Sequence, residues 1–74
     1  MDENQIEADS RWFISNYESL KERFAGMAIA IKKEAVILSG KNYREFLAEL
    51  IKRNIDPSEI LVEVIPDAGI SYIL

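Results

Sequence analysis

MAIAIKKEAVIL, residues 27–38, is the stretch whose reading decides the fold. Met27–Ile31 and Ala35–Leu38 are short apolar runs rich in β-branched residues, separated by Lys32, Lys33 and Glu34, a pattern that predicts a β-hairpin. A two-residue hairpin turn favours Asn-Gly or another glycine pair, and Lys33-Glu34 offers neither, so the expected loop is longer or irregular. Side chains alternate along a strand. Met27, Ile29 and Ile31 therefore share one face and Ala28 and Ala30 the other; in the second strand Val36 and Leu38 stand against Ala35 and Ile37.

Upstream, Phe13, Tyr17, Leu20 and Phe24 recur at i, i+4, i+7 and i+11, which places all four on one stripe of an amphipathic helix flanked by Trp12 and Ile14. Asp9 or Ser10 is the expected N-cap and Gly26 the C-terminal stop. Ser15 and Glu18 match a capping box, so a restart and a kink are expected near residue 15. Downstream, Ser39-Gly40 precedes a second capping signature, Asn42 with Glu45, and a helix carrying Tyr43, Phe46, Leu47, Leu50 and Ile51. Asn54 closes this helix in the left-handed conformation, Asp56-Pro57-Ser58-Glu59 turns the chain, and Ile60–Ile65 is a strand ended by Pro66. Asp67-Ala68-Gly69 can turn once more into a last strand over 70–74.

The expected architecture is α+β, in the order α-β-β-α-β with an optional further β: one three- or four-stranded, mainly antiparallel sheet with both helices on one face. A right-handed crossover after the hairpin sets the third strand beside the first and parallel to the second. The chain reads as one domain over residues 1–74, with 1–9 an acidic, flexible lead-in and 67–74 a tail that forms an extra edge strand. Neither sheet face is plainly polar, because Leu61, Glu63 and Ile65 oppose Ile60, Val62 and Val64. An apolar second face demands cover. A second copy of the chain is the expected cover, making a homodimer with Ala28, Ala30, Ile37, Leu61, Ile65, Ile70, Tyr72 and Leu74 at the interface.

Size supports that expectation, since a 74-residue chain buries only about 60% of its surface on folding and small domains lean on disulfides, metals or partners. With no Cys and no His, disulfides, thiolate metal sites and the commonest ligand and general base are excluded, so no metal and no cofactor is expected. The longest apolar run, Ala25–Ile31, is far shorter than a membrane span, and the start lacks a basic cluster. These features fit a cytoplasmic protein with no membrane partner. The net charge of −4 is unevenly built: residues 1–10 hold four acids, residues 11–54 hold nine bases and five acids, and residues 55–74 hold four acids.

Within the basic middle, Lys32, Lys33, Gly40, Lys41 and Arg44 form a candidate anion patch. Gly40-Lys41-Asn42 precedes a helix, where a phosphate would sit, but a phosphate loop also needs a glycine at Ala35 and a hydroxyl at Asn42. Glu18/Glu22 and Glu45/Glu49 have the spacing of a cation pair, but they read as solvated stripes; Lys41 and Arg53 extend the second. Trp12, Phe13 and Tyr17 with Lys32, Lys33, Lys41, Arg44, Lys52 and Arg53 suggest a nucleic-acid surface, yet the aromatics lie on the core stripe and acids interrupt the bases. Six serines without a histidine offer no ordinary nucleophile, so the chain reads as no enzyme.

Taken together, Trp12 and Tyr17, the Phe24-Ala25-Gly26 turn into Ala28-Ile29-Ala30-Ile31, Ser39-Gly40 before an acidic helix, and Ile55-Asp56-Pro57 before a strand and Pro66 resemble a family of small prokaryotic proteins defined as a domain of unknown function. The resemblance covers roughly residues 11–66 and implies the fold; no activity is established for that family, so it implies no site. Members often carry Asp-Gly or Asn-Gly where this chain has Lys33-Glu34, and Gly where it has Asn54.

The function expected from these features is a small noncatalytic protein-interaction module that self-associates and regulates a partner protein. The alternative is a nucleic-acid or anion-binding module using Lys32, Lys33, Lys41 and Arg44. A third reading, an antitoxin-like protein that neutralises a basic partner, rests on size and charge alone.

Overall fold

The computed structural model describes residues 2–67. Helix α1 spans Asp2–Ser15 and α2 spans Tyr17–Phe24. The break at Asn16 (φ −109°, ψ 14°) is the interruption expected near residue 15. Its side-chain amide donates to the Trp12 carbonyl at 2.8 Å, a local bond that competes with regular helix geometry. No side chain caps α2, so Ser15 and Glu18 do not act as a box there. The helix also begins well before Asp9 and Ser10, which lie inside α1 and are not its cap. The acidic lead-in is thus helical from Asp2.

Strand β1 (Ala28–Ile31) is central, with β2 (Val36–Gly40) on one side and β3 (Leu61–Val64) on the other, both antiparallel to it. This is the α+β class and strand order expected from the sequence, with β3 parallel to β2; the optional strand over 70–74 lies outside the described residues. Ala30 pairs with Leu38 but Ile31 pairs with Val36, leaving Ile37 as the extra residue of a β-bulge. The bulge separates Val36 and Leu38, expected on one face, onto opposite ones.

The two helical layers lie on opposite faces, not on one. Helix α3 (Tyr43–Lys52) sets Phe46 and Leu50 against Ala28, Ala30 and Ile60. Leu20 of α2, with Trp12, Phe13 and Phe24, packs against Ile29, Ile31 and Ile65. The alternation of small and large residues in β1 matches the division: alanines leave room for Phe46 on the α3 side, while isoleucines pack beneath the aromatic helices. Both faces are apolar, as read from the sequence, but the chain covers both itself. Ala28, Ala30 and Ile65 are buried, and Ile37 and Leu61 are half-buried against these two clusters. Ala28, Ala30 and Ile65 are therefore covered by the chain's own helices, and Ile37 and Leu61 keep part of their surface exposed; Ile70, Tyr72 and Leu74 lie outside the described residues.

The hairpin loop is short, against expectation. Lys32 and Ala35 exchange backbone hydrogen bonds of 2.9 and 3.2 Å, so only Lys33 and Glu34 form the turn, with φ of 53° and 60°. Two successive positive φ values define a type I′ turn. What makes it tenable without glycine is Asp9, which is 1% exposed: its carboxylate accepts the N–H of Lys33 at 3.2 Å and of Glu34 at 2.8 Å, and Gln5 donates to it at 3.0 Å. The expected cap is therefore a clamp between α1 and the hairpin.

The remaining punctuation is as read. Asn42 accepts the Glu45 N–H at 3.0 Å to cap α3, and Asn54 (φ 62°) ends it while Ile55 donates back to the Leu50 carbonyl at 2.8 Å. Asp56 then caps a single 3₁₀ turn, Pro57–Glu59, that feeds β3.

Candidate functional site: the open edge of β2

A central strand bonds its neighbours through alternate residues. Lys32 bonds to Ala35 on the β2 side, whereas the Met27 carbonyl accepts from Ile65 on the β3 side. Even-numbered residues of β1 therefore serve β2 and odd-numbered residues serve β3. Ser39, the partner of Ile29, consequently takes no bond from β1, and its N–H and C=O point away from the sheet. No described element pairs with that side of β2.

The helical layers leave this edge accessible on both faces. On the Ile29 face, an open groove of about 480 Å³ separates Trp12, Leu20, Arg23 and Phe24 from Val36 and Ser39 of the strand. Its lining is mixed, with Asn16, Ser19 and Glu34 beside the aromatic rings, and the Arg23 guanidinium lies 5.3 Å over the Phe24 ring. On the Ala30 face, α3 packs chiefly on β2, and a smaller groove of about 220 Å³ runs between Leu38–Gly40 and the flank bearing Glu45, Phe46 and Glu49, with Lys41 at one end. Arg53 donates to Glu49 at 2.8 Å, and this bond holds the Glu49 carboxyl below the usual glutamate range. Glu45 makes no ion pair among the described residues.

The candidate anion patch is divided by the fold. Lys32 and Lys33 sit at the hairpin turn, while Gly40, Lys41 and Arg44 lie at the other end of β2, because Gly40 pairs with Ala28 at the start of β1. Four residues of extended strand part them, about 13 Å at ~3.3 Å per residue. Lys33 is further committed through its backbone to Asp9. A third hollow, about 260 Å³, lies between the hairpin turn and the end of α3 and includes Asp9, Lys32, Asn54 and Asp56. Among the described residues, no three His, Cys, Asp or Glu side chains are grouped to hold a metal ion, and no helix is long and apolar enough to cross a membrane.

The outward position of Ser39 is not evident from the sequence, where Ser39-Gly40 only precedes the capping signature of α3. The missing signal was the two-residue turn: once Lys32 and Ala35 are known to pair, alternation alone assigns the outward position. Fold and site together define the class, a three-layer α+β domain with a three-stranded sheet between helices, edged among the described residues by β2 and β3. No known family model, curated protein or solved structure matches the chain.

Proposed function

We propose that this protein is a noncatalytic protein-interaction module that receives an extended segment of a partner along the open edge of β2. The outward N–H and C=O of Ser39 carry this reading, since strand addition draws its affinity from such unpaired backbone groups. The grooves on either side of the strand supply what backbone bonds lack, places for alternate side chains of the incoming segment. The bulge at Ile37 lies toward the hairpin end and leaves Leu38–Gly40 in regular register.

The reading is tested by selecting binders from a displayed random-peptide library on the full chain and on Ser39→Pro. Proline removes an N–H that the intramolecular ladder does not use, so the fold is expected to survive, as unchanged circular dichroism would verify. Binders lost on Ser39→Pro, and slowed hydrogen exchange at the Ser39 amide of the unsubstituted chain on binding, are the expected results. Binders indifferent to Ser39→Pro, with Ser39 exchange unchanged, would overturn the proposal.

A further inference from the structure

We infer that the segment received by β2 alternates basic with apolar residues, an inference that rests on the strand-addition reading above. The residue facing Ser39 must project on the Ile29 side, because Cα partners share a face. There it meets the groove lined by Trp12, Leu20 and Phe24, in which Arg23 and Glu34 oppose each other in charge, so apolar contact is the net gain and neither sign of charge is favoured. The residues facing Leu38 and Gly40 must project on the other side, toward α3. There they meet Glu45 and Glu49, of which Glu49 is already bonded to Arg53 and Glu45 is not. A basic side chain at these two positions gains from the carboxylates; an acidic one is repelled. Lys41 stands at the end of this groove, beyond the last residue of β2, and marks where the basic preference ceases.

The same charges disfavour a second copy as the occupant. Two β2 strands paired antiparallel about Ser39 would keep their α3 helices on one side of the joined sheet and bring Glu45 and Glu49 toward their own counterparts. The overall charge of −4 works in the same direction, against self-association and toward a basic partner.

The test uses the full chain and three acetylated nine-residue peptides: alternating lysine and valine, the same composition in two blocks, and alternating glutamate and valine. Nuclear magnetic resonance titration reads both affinity and place. The alternating basic peptide is expected to bind saturably, with the largest shifts at Leu38–Gly40, at least tenfold more tightly than either other peptide. Charge reversal at Glu45 and Glu49 should weaken it tenfold or more, Lys41→Glu should tighten it several-fold, and Ser39→Pro should abolish it.

Equal binding of the block peptide, or indifference to Glu45→Lys with Glu49→Lys, would overturn the inference. If the library yields Ser39-dependent binders without basic alternation, the inference falls and the strand-addition reading stands. Sedimentation showing a dimer that Ser39→Pro dissociates would assign the edge to a second copy. A tenfold gain in peptide affinity on substituting Ile70 and Tyr72 with serine would assign it to the chain's own end. Either result overturns the basic-partner inference.

Discussion

Asp9 accepts the backbone N–H of Glu34 at 2.8 Å, joining the first helix to a turn 25 residues away. The same carboxylate receives Lys33 and Gln5, so both oxygens act as acceptors in a buried position. Non-glycine residues in the left-handed region cost about 1–2 kcal/mol each. The clamp offsets that strain, and in doing so fixes the approach of α1 to the sheet.

Asp9→Asn should therefore destabilise the chain by about 1–3 kcal/mol, because one amide position turns an acceptor into a donor aimed at another N–H. Urea unfolding measures it. Replacing Lys33-Glu34 by Asn-Gly should stabilise by about 1 kcal/mol through relief of the positive φ values. Because Asp9 bonds the backbone N–H groups of the turn, which Asn-Gly retains, the Asp9→Asn cost should persist in the Asn-Gly background; no cost in either background would show that the clamp does not hold the turn.

Gly26 is the second place where backbone conformation dominates, at φ 76° between α2 and β1. A Cβ added there would meet Asp67 at 3.5 Å, an ordinary contact, so the expense of Gly26→Ala is conformational and not steric. A loss of about 1–2 kcal/mol is expected in thermal or urea unfolding.

Two carboxylates should titrate low. Asp56 accepts the Ser58 N–H at 2.9 Å and the Ser58 hydroxyl at 2.8 Å, and these bonds, the backbone one foremost, favour its charged form. Glu49 is held low chiefly by the hydrogen bond from Arg53. A carboxyl whose folded pKa is depressed contributes stability above its unfolded pKa, about 4, and that contribution is lost as pH falls through the folded value. Carbon-detected titration should place both midpoints below those of ordinary Asp and Glu. Ser58→Ala should move Asp56 part of the way back, and Arg53→Gln should return Glu49 most of the way.

Leu50 and Ile51 are adjacent in α3 yet differ completely in environment: Leu50 is fully buried and Ile51 is 65% exposed. Leu50→Ala should remove about 2–5 kcal/mol of stability. Ile51→Ala should stay within about 0.5 kcal/mol. Similar losses at both positions would mean that the exposed flank of α3 is covered in solution.

Elements and strand order were legible because periodicity and capping residues report local geometry directly: Asn42, Asn54 and the Ala/Ile alternation of β1 all did what their chemistry required. The distribution of helices between faces was not legible, because alternation shows that two faces are apolar but not which segment reaches each. The clamp was hidden for a related reason. Asp9 is an ordinary cap residue by type, and only the tertiary approach of α1 brings it to Lys33 and Glu34. The Ile37 bulge likewise adds one residue to β2 without any glycine to announce it, and the candidate edge at Ser39 followed only from the resulting register.

The opposed helical layers yield a prediction that separates them from helices sharing one face. Ala30 is fully buried in the cluster that holds Phe46, on the side of β1 opposite the one that Leu20 covers. Ala30→Leu must push α3 outward, with an expected loss of about 1–3 kcal/mol. Were both layers on the Ile29 side, Ala30 would face solvent and the larger side chain would be nearly neutral. Combining Ala30→Leu with Phe46→Leu restores much of the packed volume between β1 and α3, so the pair should be more stable than the sum of the two single losses. A double-mutant cycle in urea reads this coupling, and strict additivity would place Ala30 and Phe46 on different faces.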